Sequence, residues 1–295
     1  LSASVRGPNA GMAVVKQGTR IATHLGKPVV ALLAALAAVT ALHVLLTSGA
    51  GLGNDATMQW AQVVSNRLND WHPPAMTRLW QWLRVFGEGS APLSVLTILL
   101  YWGGFAALSV GFARQRHAGL GWLSLLVGII AAALWFDPIS KDSLLAAFFV
   151  LGYGLLLHAP RGTKRRGWLV ALALIAFTCG VLMRHNGAFA AGPALLLAFA
   201  PQRLRQFWWS LLVSALVTVG LALAGQVANK SVFVAESSRV EDSLLLFDLI
   251  GIAQGARDPA VFGPKSAVTL RDVDVCYSPA MWDTMAPWGR CAWFP

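Results

Sequence analysis

The charged residues that interrupt the apolar stretches of this chain are the ones best placed to do chemistry. Arg184 and His185 divide one long apolar stretch, and ionisable residues in such a setting indicate a functional site. The guanidinium of Arg184 can hold a phosphate through two parallel hydrogen bonds. The alternative is a surface hairpin whose arginine reaches lipid headgroups. We therefore predict that Arg184 and His185 bind an anionic group of a substrate.

A second charged group, Asp137, Lys141 and Asp142, lies in a short segment between two apolar runs. Charges at a membrane edge are costly unless they are solvated or paired. These residues can contact a phosphate, a metal or an acceptor group. Lys141 is the best phosphate candidate, because it is the segment's only cation. The alternative is a solvated turn, since Asp137-Pro138 favours a turn and Asp142-Ser143 can cap the following helix.

The elements that must position these residues are membrane-spanning helices. Hydrophobic residues make up 56% of the chain and charged residues 12%, whereas a soluble domain usually carries about 25% charged residues. A spanning helix needs roughly 20 apolar residues. We predict an all-α, polytopic bundle of about seven spans, with a tight hairpin, or a pair of broken helices, at Arg184-His185-Asn186. The predicted spans are 28–48, 91–113, 118–136, 143–159, 167–183, 187–201 and 207–228.

Charge on the segments between these spans predicts the orientation. With the N-terminus in the cytoplasm, the inner segments hold twelve of the 23 Lys and Arg residues and none of the 13 acidic residues. Basic loops resist translocation, so this asymmetry favours a cytoplasmic N-terminus. Because the net charge of +10 comes from such short basic clusters, it does not indicate nucleic-acid binding. The twelve inner basic residues are Arg6, Lys16, Arg20, Lys27, Arg114, Arg116, Arg161, Lys164, Arg165, Arg166, Arg203 and Arg205.

An odd number of spans divides the chain into a membrane domain, residues 1–228, and an outer tail, residues 229–295. The tail would lie in an oxidising compartment, where a disulfide can persist. Cys276 and Cys291 both lie in this tail. We predict that they form a disulfide, with two free thiols as the alternative.

The first outer loop, residues 49–90, is predicted to hold two interfacial helices. We expect Asn54 or Asp55 to cap the first one and Pro73-Pro74 to start the second, which ends near Phe86. On the first helix the apolar positions recur at helical spacing, with polar residues opposite, and aromatic residues of the second suit the lipid headgroup region. The apolar positions are Trp60, Val63, Val64 and Leu68; the polar ones are Gln59, Gln62, Ser65, Asn66 and Asn69; and the headgroup residues are Trp80, Trp82, Leu83 and Phe86.

These loops resemble those of the GT-C superfamily, membrane glycosyltransferases that use polyprenyl-phosphate-linked sugars. Protein mannosyltransferases and lipid A aminoarabinose transferases belong to it. Its members usually have more spans and a longer outer portion, so we expect the tail 229–295 to be incomplete. The resemblance rests on Asn54-Asp55 followed by Gln59, on His72-Pro73-Pro74, on the short Asp137–Asp142 loop, on Arg184-His185-Asn186 and on residues 247–253.

The resemblance implies transfer of a sugar from a lipid phosphate to an acceptor hydroxyl. Asp55 matches the position of the general base, with a helix cap as its alternative role. Cationic groups would stabilise the departing phosphate. The acceptor would be a glycan, a lipid or a protein at the periplasmic face of a bacterial inner membrane. Superfamily members differ in their use of a divalent metal, and no ligand cluster in the sequence indicates one. The substrate-binding residues implied are Arg184, Lys141, His185, His72, Asp137, Asp142 and Gln59.

Two other classes of function compete with this one. A secondary transporter or lipid flippase would place ionisable residues deep within its spans, whereas the predicted spans are almost free of them. A non-catalytic partner of cell-envelope glycan assembly is the third hypothesis. ATP-driven transport has no support, because the sequence contains no P-loop.

Overall fold

The computed structural model describes residues 9–47, 51–159, 165–199, 207–233, 235–238, 240–264, 266–285 and 289–292. Within these ranges the chain forms eleven α-helices joined by turns and short 3-10 segments. The predicted all-α class is confirmed. The helices are α1 Asn9–Thr47, α2 Asn54–Ser65, α3 Pro74–Leu83, α4 Ala91–Arg114, α5 Ala118–Trp135, α6 Lys141–Leu157, α7 Arg166–Met183, α8 Ala188–Phe199, α9 Phe207–Ser231, α10 Val240–Ala256 and α11 Leu270–Cys276.

Five helices in the described part of the chain are long and apolar enough to cross a membrane. The shorter α6 has 17 residues, one fewer than α5 and α7, which are the shortest of these five helices. The sixth predicted run, 187–201, ends outside the described residues. The structure thus indicates a multi-pass membrane protein with five candidate spans among the described residues, and the predicted number of about seven is not confirmed. They are Gly26–Thr47, Ala91–Arg114, Ala118–Trp135, Arg166–Met183 and Leu211–Ser231.

The helix α4 lies at the centre of the first of two compact units, which comprises Leu1–Asn66 and Pro73–Phe233. It packs against α1, α5 and α6, and Tyr101, Trp102 and Phe105 anchor its core. The Trp102 indole donates to His43 Nδ1 at 3.0 Å, and the Tyr101 hydroxyl donates to the carbonyl of Gly128 at 2.7 Å. Such bonds satisfy polar groups that would otherwise be unpaired in hydrocarbon.

Glycines bring α4 and α6 close together. A Cβ added to Gly104 would lie 2.5 Å from the backbone nitrogen of Leu151, and one added to Gly154 would lie 2.6 Å from the Ala107 Cβ. Small residues let helix backbones approach in a membrane, where van der Waals packing drives association. The α4–α6 contact therefore depends on the absence of these side chains.

We predict that Gly104→Ala destabilises the first unit by about 1–3 kcal/mol, because the new methyl group overpacks the contact with α6. The neighbouring Gly103 is the matched control, since a Cβ there meets no atom within 4 Å. Gly103→Ala should be neutral or slightly stabilising, because alanine is the better helix former. Thermal unfolding in detergent checks both variants, and equal effects of the two would contradict the packing argument.

The second compact unit comprises Arg67–His72 and Val234–Pro295. Its longer part begins at Val234, beyond the boundary predicted after residue 228. Its shorter part, Arg67–His72, belongs to the first loop. A parallel bridge joins Asn69 to Glu236. The Asp70 carboxylate accepts hydrogen bonds from the backbone N–H and the hydroxyl of Ser238, both at 2.6 Å. These contacts give Asp70 a structural role within this unit.

The core of the second unit is small and is closed by a disulfide. Cys276 and Cys291 are bonded to each other, with their Cα atoms 5.7 Å apart, in agreement with the predicted pairing. The segment 247–253, part of the family resemblance, lies on α10. Its Ile250 and Ala253 are fully buried, and Phe247 stacks on Tyr277 at 5.5 Å between ring centroids. Packing within the second unit therefore explains the apolar residues of this segment.

We predict that Cys276→Ser destabilises the second unit by about 3 kcal/mol, because the disulfide restricts the unfolded chain over a loop of about 15 residues. Amide hydrogen exchange of α10 and α11 in the intact chain measures the change. Cys179→Ser on α7 is the control, since Cys179 is a free thiol. Unchanged exchange in α11 after Cys276→Ser would show that the bond contributes little.

Candidate functional site

The N-terminus of α2 places Asp55 in the first helical turn. Gly53, not Asn54 or Asp55, occupies the capping position, so the predicted cap is wrong. The Gly53 carbonyl accepts hydrogen bonds from the backbone N–H and the hydroxyl of Thr57. A carboxylate in the first turn interacts favourably with the helix dipole. Asp55 therefore stabilises the helix without capping it.

The buried face of α2 differs from the predicted one. Ala56, Gln59 and Val63 are buried, at spacings of three and four residues, and Gln59 is only 2% exposed. Val64, predicted to be on the apolar side, is 57% exposed. The prediction placed Gln59 among exposed polar residues and is wrong there, because the face that packs includes an amide.

The second helix of the loop, α3, begins at Pro74 as predicted and packs on α2 through aromatic rings. Trp80 is fully buried rather than in the headgroup region, since its ring lies 5.1 Å from that of Trp60 and its indole donates to the carbonyl of Gly89 at 2.9 Å. Trp82 and Phe86 are exposed. The Trp60–Trp80 contact fixes α2 on α3 and so fixes Asp55 and Gln59.

Just after α3, Arg84 and Glu88 form an ion pair at 2.7 Å. The hydrogen bond from Arg84 lowers the pKa of Glu88, and the same bond raises the pKa of Arg84. The Arg84 side chain is 34% exposed and that of Glu88 is 70% exposed. Because Glu88 is paired in this way, it serves as a reference carboxylate outside the candidate site.

The second loop is a tight turn that begins α6. The Asp137 carboxylate accepts a hydrogen bond from the backbone N–H of Ile139 at 2.9 Å, which confirms the predicted turn. Ser140 caps α6, because its hydroxyl accepts from the backbone N–H of Asp142 at 3.1 Å. The predicted cap at Asp142-Ser143 is wrong by two residues. Lys141 and Asp142 are thereby left in the first turn of α6.

Two ion pairs connect three loops that are distant in the sequence. Lys141 Nζ lies 2.5 Å from the Asp55 carboxylate, and Arg184, which follows α7, pairs with Asp142. The Lys141 side chain is 15% exposed and that of Asp55 is 61% exposed. Since Lys141 and Asp142 are consecutive, the two pairs form one cluster of alternating charge, which we call the charge cluster.

The charge cluster can exchange its partners at modest cost. Ion pairs between solvent-exposed side chains contribute about 0–1 kcal/mol. Both carboxylates of the cluster are more than half exposed, and Arg184 is 41% exposed, whereas the Lys141 side chain is 15% exposed. A ligand phosphate offers Lys141 or Arg184 an anionic partner that accepts charge-assisted hydrogen bonds in place of a carboxylate. Binding of an anion would release a carboxylate next to it.

A cleft of about 250 Å³ adjoins the charge cluster. The structure brings four predicted site residues together in its wall, and joins Arg184 and Asp142 to them through the neighbouring ion pair. The Nε2 of Gln59 is buried and has no hydrogen-bond partner in the described part of the chain. The cleft is lined by Gly53, Asp55, Ala56, Gln59, Asp137, Ile139, Ser140 and Lys141.

The two histidines predicted for the site are placed differently. His72 is half-buried in the second compact unit. The backbone of His185 lies in the 3-10 turn His185–Gly187 between α7 and α8, and its side chain lies outside the described residues. Among the described residues, no three His, Cys, Asp or Glu side chains are arranged to hold a metal ion.

Comparison with known proteins found no matching protein family, curated protein or solved structure. The function is therefore inferred from the residues of the site. Two features of the site were not predicted from the sequence. They are the cap at Ser140 and the burial of Gln59. The three- and four-residue spacing of Ala56, Gln59 and Val63 is the signal that could have identified the second.

We predict that reversing the charges of Asp55 and Lys141 reveals the contribution of this ion pair to stability. Asp55→Lys alone should lower the free energy of unfolding by about 1 kcal/mol, because like charges then meet, and Lys141→Asp should lower it by more, because the Lys141 side chain is only 15% exposed. The double variant should recover most of this loss. Thermal unfolding of all three in detergent measures the recovery. Asp55→Lys combined with Arg84→Glu is the control, since Arg84 pairs with Glu88, and recovery in that variant too would contradict a specific pair.

Proposed function

We propose that this protein is a membrane glycosyltransferase that moves a sugar from a polyprenyl-phosphate donor to an acceptor hydroxyl. The observation that carries the proposal is the charge cluster, in which Asp55, Lys141 and Arg184 come from three separate loops. It combines a carboxylate able to accept a proton with two cations able to hold a phosphate. Sugar transfer from a lipid phosphate requires both.

The ion pair of Asp142 with Arg184 also supports a sixth span, the predicted one in α6. The two residues lie at opposite ends of the segment that contains α6 and α7, and α7 is long and apolar enough to cross a membrane. If α7 crosses, α6 must cross as well, because otherwise the two partners would lie on opposite sides. The charge cluster would then face the outside, with the N-terminus in the cytoplasm of a bacterial cell.

In the proposed reaction, Asp55 accepts the proton of the acceptor hydroxyl as its oxygen attacks the anomeric carbon of the donor. The bond between that carbon and the phosphate oxygen breaks, and polyprenyl phosphate leaves with the electron pair. Lys141 and Arg184 stabilise the negative charge that develops on the leaving group. A bound donor phosphate competes with Asp55 for Lys141 and so weakens the ion pair between Lys141 and the base.

The acceptor would be a cell-envelope glycan, a lipid or a protein. The competing hypothesis of a transporter or flippase requires ionisable residues at membrane depth. Here the charge cluster occupies helix ends and turns instead. That position favours chemistry at the membrane surface.

We expect Asp55→Asn to reduce sugar transfer by about 10²–10⁴-fold, the usual contribution of a positioned general base. The assay follows radiolabelled sugar from polyprenyl-phosphate donors in membranes that contain the intact protein. Arg184→Gln should weaken use of the donor, and Arg184→Lys should restore only part of it, because lysine lacks the bidentate geometry.

Glu88→Gln is the matched control, since it removes a carboxylate of the same loop outside the site. It should transfer sugar at the wild-type rate. Equal transfer by wild type and Asp55→Asn would exclude Asp55 as the base. Absence of transfer by the wild type with every polyprenyl-phosphate donor would overturn the glycosyltransferase proposal.

A further inference from the structure

Gln59 is an unusual residue for the core of the first unit, because its side chain carries a polar amide. Its side chain is 2% exposed, and its Nε2 has no hydrogen-bond partner among the described residues. Buried polar groups in proteins are nearly always hydrogen-bonded, and each exception requires an explanation. An unsatisfied N–H donor lowers stability. A ligand oxygen that enters the neighbouring cleft would satisfy it.

The position of Gln59 relative to Asp55 defines what that oxygen could be. The two residues are four apart on α2, so their side chains lie on the same face of the helix, and both line the cleft. An amide N–H donates a hydrogen bond, whereas a carboxylate accepts one. A hydroxyl group does both, since it accepts through its lone pairs and donates through its proton.

We propose that Gln59 and Asp55 hold one sugar hydroxyl between them, so that the Gln59 amide donates to the oxygen whose proton Asp55 accepts. This inference rests on the proposed function in one respect, which is that the hydroxyl is the one glycosylated. Gln59 is then a substrate-binding residue that orients the attacking lone pair. The ligand class is a polyhydroxylated acceptor.

The rest of the cleft fits the same class of ligand. Its wall combines the acceptors Asp55 and Asp137 with the cation Lys141 and the hydroxyl of Ser140. Such a mixture of donors and acceptors suits the several hydroxyls of a sugar ring and would leave polar groups unpaired against an apolar molecule. A volume of about 250 Å³ lies just below the roughly 300–1,000 Å³ typical of drug-sized ligands, which suits a single ring.

The first test separates a binding role from a structural one. Gln59→Leu replaces the unpaired amide with an apolar group of similar size, which is neutral or stabilising when a polar group had no partner. We expect the thermal unfolding midpoint of the intact protein in nanodiscs to stay equal or rise by a few degrees. A fall of several degrees would overturn the proposal, because it would show that the protein itself satisfies the amide.

The second test measures binding directly. The probes are methyl glycosides of glucose, mannose, galactose and arabinose, detected by saturation-transfer NMR with the protein in nanodiscs. We expect at least one probe to give a signal with wild type that falls by about tenfold or more in Gln59→Leu. Gln62→Leu on the same helix is the control, since Gln62 does not line the cleft, and it should keep the wild-type signal.

No signal with any glycoside, or an undiminished signal in Gln59→Leu, would overturn the proposal and leave water as the partner of the amide. The binding assay needs no donor, so its outcome is separate from that of sugar transfer. Transfer that depends on Asp55 but not on Gln59 would remove this inference and keep the glycosyltransferase. Glycoside binding without transfer would keep the site and remove the reaction.

Discussion

The exclusion of charge from the hydrocarbon core is the constraint on which the rest of this structure depends. Backbone groups in lipid must be hydrogen-bonded within the chain, which leaves the helix as the solution for an apolar segment. Charged side chains are then confined to helix ends and turns. Because consecutive helices return the chain to the same end of the bundle, loops far apart in sequence become neighbours, and the charge cluster forms where three of them meet.

Much of this architecture could be predicted because it depends on local sequence. The helices follow from the length and apolarity of single runs, and the start of α3 follows from Pro74. The pairing of Cys276 with Cys291 follows from the presence of just two cysteines in the tail. The turn at Asp137 likewise needs only the hydrogen bond that a short carboxylate makes to the backbone two residues on.

The features of the fold and of the site that could not be predicted depend on tertiary packing between helices. Whether Trp80 enters the core or the headgroup region is decided by the ring of Trp60 on another helix. Gln59 has a polar side chain but is buried, so a prediction from residue types placed it on the wrong face of α2. The partner of Lys141 lies 86 residues away. Candidate residues could thus be named from the sequence, whereas their pairing required the fold.

The sharing of residues 67–72 with the second unit has a consequence for biosynthesis. Asp70 and its partner Ser238 are separated by 168 residues, and the ribosome adds about 5–20 residues per second. The segment 67–72 therefore exists for roughly 10–30 s before Ser238 has been made. During that interval Leu68 and Asp70 lack their partners Glu236 and Ser238, and the segment 67–72 reaches its final form only after Ser238 has been made.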